Sequence, residues 1–162
     1  MDCRVPAMRG ALRGVLAVAI TLSLLAATGC GNDTKPKNDY VAAVNKAQAD
    51  FVAVVDDTQA RLAQNTQDSE TATSLDGIRT AAAGAVQELR AVKPPSGVGP
   101  LHAKLIREAQ GLVVAFRKAA DAYRSGTSAR ILKAKVDLKN DVARVNTQIN
   151  ATIQELNSKL RG

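Results

Sequence analysis

The chain has 162 residues, 22 Lys and Arg against 15 Asp and Glu, a formal net charge of +7, and few aromatic side chains: Tyr40, Phe51, Phe116 and Tyr123, with no Trp. So few aromatic rings argue against base stacking on single-stranded nucleic acid. They also argue against a β-sandwich, whose strands alternate aromatic and β-branched residues.

The N-terminal residues carry Arg4, Arg9 and Arg13 against Asp2, and an apolar run over 15–28 comes next, interrupted only by Thr21 and Ser23. A basic start, a short apolar middle and small residues before a break are the marks of a secretory signal. The rival is a membrane-spanning helix. Such a run covers about 21 Å at 1.5 Å per residue, short of the ~30 Å hydrocarbon core, so a cleaved signal is favoured.

The signal ends in Leu24-Leu25-Ala26-Ala27-Thr28-Gly29-Cys30. This stretch resembles the lipobox of bacterial lipoproteins, with Thr28, Gly29 and Cys30 in register and Ala27 standing where leucine is commonest. The resemblance implies a diacylglyceryl group on the Cys30 thiol, removal of residues 1–29, and Cys30 as the first residue of an exported, outward-facing chain held to the membrane by its lipid. Intact-mass measurement distinguishes this from an ordinary signal that leaves Cys30 a free thiol.

Residues 30–162 are one domain's worth of chain. Cys3 leaves with the signal and Cys30 is committed to lipid, so no disulfide forms and the fold must hold by packing. Three regions are expected: a signal over 1–29, a lipidated cysteine and flexible polar tether over 30–38, and a helical body over 39–162.

Helix one is expected to start at Asn38 or Asp39, either of which can cap it. Val41, Val44, Gln48, Phe51, Val55, Thr58 and Leu62 alternate three and four apart, which puts them on one face. Residues 64–73 are almost wholly polar and read as a loop, with Asp68, Ser69, Thr73 and Ser74 as candidate caps for helix two. Helix two carries Leu75, Ile78, Ala82, Ala85, Leu89 and Val92 and ends at Pro94-Pro95. Gly77 and Gly84 weaken it by about 1 kcal/mol each, or else allow a close helix approach.

Pro100 suits the first turn of helix three, whose stripe is Leu101, Leu105, Ala109, Leu112, Phe116, Ala119 and Tyr123. Gly126 stops it, and Thr127 or Ser128 caps helix four. That last helix spans 129–160, about 48 Å, with Ile131, Ala134, Leu138, Val142, Val145, Ile149, Thr152 or Ile153, Leu156 and Leu160 on its stripe. Four amphipathic helices with short links predict an all-α, up-down-up-down four-helix bundle.

Little in this sequence carries chemistry. His102, the single histidine, has Val98, Gly99, Leu105 and Ile106 at helical spacing, so no carboxylate accompanies it and it reads as a surface or cap-region residue. Asp56 and Asp57 are adjacent, hence about 100° apart on a helix, and cannot share a proton. No nucleophile elbow or phosphate loop is present. No enzyme activity, cofactor or metal is expected. The three polar stripe residues Gln48, Thr58 and Thr152 hint at a small-ligand site inside the bundle, which needs a cavity of ~300 Å³ or more.

Charge is uneven: residues 31–95 hold seven bases and nine acids, residues 96–162 twelve bases and five acids. Lys133, Lys135, Lys139 and Arg144 are the candidate contacts to an anionic surface, although their spacing does not form one narrow stripe. For an exported chain the natural polyanions are lipid headgroups and envelope polymers, not nucleic acid. The body resembles the small helical lipoproteins of bacteria, most closely in the link from Leu89-Arg90-Ala91-Val92-Lys93-Pro94-Pro95 to Leu101-His102, and that resemblance implies no activity. The expected role is a membrane-tethered, non-enzymatic interaction module of the envelope, partnered by an envelope protein or an anionic polymer. The alternative is a carrier or receptor for a small ligand.

Overall fold

The structure, a computed structural model, describes residues 34–64 and 67–161. The expected signal over 1–29 and the lipidated Cys30 lie outside the described residues. Four helices make up the rest: α1 (Thr34–Gln64), α2 (Asp68–Ala91), α3 (Gly99–Arg124) and α4 (Ser128–Arg161). No strand occurs among the described residues.

Two boundaries differ from those expected. Helix α1 starts at Thr34, four residues before Asn38, so the second half of the expected tether is helical. Pro36 falls in the first turn, where its missing donor costs nothing. Lys35 pairs with Asp39 at 2.7 Å across that turn. Helix α2 starts at Asp68, well inside the expected loop, and its N-cap Gln67 makes no side-chain capping bond. Asp68 and Glu70 in its first turn face the positive end of the helix dipole. The Thr71 hydroxyl donates to the Gln67 carbonyl at 3.1 Å, which lets Thr71 enter the core alongside Ala72.

The links follow the chemistry of their residues. Helix α2 ends at Ala91, before the two prolines, and α3 takes a Pro in its opening turn. Gly97 and Gly126 have φ of +83° and +71°, a conformation that costs other residues dearly, and Gly126 is the expected stop after α3. Val98, within the link, is fully buried and seals the end of the core.

Helix α1 packs on α2, α2 on α3 and α3 on α4. The expected stripes of α1, α3 and α4 are almost entirely buried in one cluster. On α2 the buried position is Val86, with Ala85 packed at the edge. Down the α3–α4 seam, Lys104 meets Glu155, Glu108 meets Thr152 and Gly111 meets Val145, so these two helices run in opposite directions.

The close helix approach falls at Gly111. A Cβ placed there meets Val145 Cγ2 at 2.9 Å, whereas Gly77 and Gly84 face open space. Val145 is fully buried and, being β-branched, has essentially one rotamer in a helix. Gly111→Ala is therefore expected to destabilise the body by about 1–3 kcal/mol of overpacking, offset by up to ~1 kcal/mol of helix propensity. Adding Val145→Ala should recover the overpacking part in a double-mutant cycle of thermal unfolding.

Candidate functional site

The first turn of α3 brings His102 into the core, 5% exposed, which corrects its reading as a surface or cap residue. The Tyr40 hydroxyl of α1 lies 3.2 Å from His102 Nδ1, with the two rings edge to face at 5.6 Å. With Nδ1 unprotonated, the hydroxyl donates to it. The Leu89 carbonyl at the end of α2 lies beside the ring. The pair thus ties α1 to α3. Burial pulls the His102 pKa below the ordinary 6.5, partly opposed by the nearby Leu89 carbonyl. Burial also pushes Tyr40 up to about 12. Both groups therefore stay neutral near pH 7. Among the described residues no carboxylate is hydrogen-bonded to the pair, which therefore lacks the orienting acid of a hydrolytic triad.

A cavity of about 60 Å³ lies between the helices, lined chiefly by apolar side chains such as Val44, Phe51, Leu105 and Ile149, with Gln48 at its edge. Of the other polar stripe residues, Thr58 is buried, and Thr152 is buried and donates to Glu108 Oε1 at 3.0 Å. Thr152 is thereby accounted for by the α3–α4 seam and not by a ligand site. Glu108 Oε2 is buried without a hydrogen-bond partner.

The four basic candidates do not converge. At about 100° per residue, Lys133 and Arg144 fall on one flank of α4 and Lys135 and Lys139 on the other. Lys133 pairs with Asp137, and Arg144 with Asp141 at 2.8 Å. Lys135 stands over the Tyr123 ring at 5.9 Å. Lys139 is exposed and makes no ion pair among the described residues. Exposed pairs of this kind contribute about 0–1 kcal/mol each, so they organise the surface more than they hold it together.

Among the described residues no group of three or more His, Cys, Asp or Glu side chains gathers at metal-binding distance. Asp57 pairs with Arg61 at 2.7 Å on the surface of α1. Nothing in the sequence pattern around His102 announced its burial, because its partner Tyr40 is sixty-two positions away. No protein-family model, no curated protein and no solved structure matches the chain.

Proposed function

We propose that the chain is a membrane-tethered, non-enzymatic interaction module of the bacterial envelope, exported by residues 1–29 and held by a lipid on Cys30. The junction Thr28-Gly29-Cys30 carries this reading. The described helix α1 reaches back to Thr34, four residues after that cysteine, which suits a body held close to its anchor. No described helix is long and apolar enough to cross a membrane, so on this reading the lipid provides the attachment. The partner is an envelope protein or an anionic surface.

We further infer an up-down-up-down order for the four helices. The antiparallel α3–α4 pairs support it, as do Leu89 beside His102 and Asp68 beside Tyr123 along α2 and α3. Links of a few residues leave little room for any other arrangement.

Replacing the anchor tests the main reading. In a bacterial host, Cys30→Ser is expected to abolish incorporation of labelled palmitate and to stop signal removal at residue 30. Retained label in that variant contradicts the proposal. A carrier for a small ligand is the second reading, and the cavity between the helices is its one structural hint. At about 60 Å³ it is several-fold smaller than the ~300 Å³ of an ordinary ligand pocket. Native mass spectrometry of the membrane-extracted protein, showing a bound non-protein mass, would favour the carrier.

A further inference from the structure

The outer flank of α4 has a composition unlike the rest of the surface. Its exposed large apolar residues are Leu132, 65% exposed, and Val136, 53% exposed, four positions apart and hence stacked on one face. At about 100° per residue, Lys139 and Ala143 continue that face and Lys135 borders it. The three acids of the helix, Asp137, Asp141 and Glu155, all fall on the opposite flank. There they take up Lys133, Arg144 and Lys104. The face with Leu132 and Val136 has no acid of its own on α4, and its lysines make no ion pair among the described residues.

We propose that this acid-free face of α4 rests on an anionic lipid surface, with Leu132 and Val136 entering the headgroup region and Lys135 and Lys139 pairing with lipid phosphates. The charge pattern selects the occupant. Apolar residues between lysines whose acids have been moved to the other flank match a plane of negative headgroups, and the long lysine stems can lie along the apolar surface while their ammonium groups reach phosphate. A protein partner fits less well, because two exposed residues on a convex helix offer far less than the ~800 Å² per side of a standard interface. The inference rests on the envelope location proposed above, and it adds that the bundle lies with α4 against the membrane instead of standing off it.

The chain contains no Trp, so Leu132→Trp in the full chain, extracted from the membrane fraction and reconstituted, places a single reporter on the face. Vesicles of brominated phosphatidylcholine, with or without brominated phosphatidylglycerol, serve as quenchers. Arg90→Trp on the exposed side of α2 is the control. Blue-shifted, quenched emission from the α4 reporter in the phosphatidylglycerol vesicles, with the control unquenched, is the expected result. Adding Lys135→Gln and Lys139→Gln should lower the ratio of docked to undocked protein roughly thirtyfold, at about 1 kcal/mol for each lysine. An unquenched α4 reporter on protein that still sediments with the vesicles overturns the proposal and leaves the lipid anchor standing. Equal quenching of the control overturns it too. Protein that fails to sediment with neutral vesicles, yet is quenched at α4 by anionic ones, removes the anchor and upholds the face.

Discussion

Phe116→Ala is expected to destabilise the helical body by about 3–5 kcal/mol, the usual cost of deleting a buried aromatic ring. The ring is 1% exposed and sits in the continuous core on the face of α3 that both α2 and α4 approach. No cysteine lies among the described residues, so packing carries the stability of the helical body, and a close-packed core closes only partly over the space left by the ring. For a body of this size the loss corresponds to a fall in melting temperature of more than about 10 °C. Phe51→Ala falls in the same range. Phe51 lies on α1, at the wall of the cavity, so its removal enlarges a void that already exists. Circular dichroism melts of the two variants check both, and unchanged melting temperatures would mean that the buried faces are not those described.

The Tyr40–His102 brace carries the second large effect. Tyr40→Phe removes the donor to a buried imidazole nitrogen and is expected to cost about 1–3 kcal/mol, the penalty of an unsatisfied buried acceptor. The pH dependence has a definite sign. Burial places the folded pKa of His102 below its ordinary 6.5. As pH falls, the unfolded chain takes up the proton first, which favours unfolding. The brace's contribution is fully present above about pH 6.5 and is lost as pH falls from there through the lowered folded value. His102 is the single histidine, so His102→Gln should flatten the stability profile through this window. Denaturant melts at stepped pH provide the check. A profile equally steep in His102→Gln would assign the dependence to another group.

The sequence revealed most of the fold because the fold rests on periodicity. Every expected stripe residue of α4 from Ile131 to Leu160 is buried, and Pro94-Pro95 and Gly126 end their helices by local backbone chemistry alone. It was less informative where tertiary contacts decide. Val86, and not Ala85, is the buried residue on α2, because both lie within the tolerance of a three-or-four repeat and the neighbouring helices choose between them. A helical wheel shows which face turns inward but not how near the next helix comes, so Gly77 and Gly84 drew attention while Gly111 makes the approach. The start of α2 was hidden because Asp68, Ser69 and Thr73 suit a cap or a loop as well as a first turn. For the candidate site the position is reversed. Cys30 is legible only as sequence, whereas His102 and the unbalanced face of α4 become visible only when the helices are assembled.

Intact-mass measurement of the protein purified from the membrane fraction tests the proposed anchor most directly. A chain beginning at Cys30, heavier than residues 30–162 by a diacylglyceryl group with or without a further acyl chain, is the expected result. A chain of unmodified mass, or one beginning at any other residue, contradicts it.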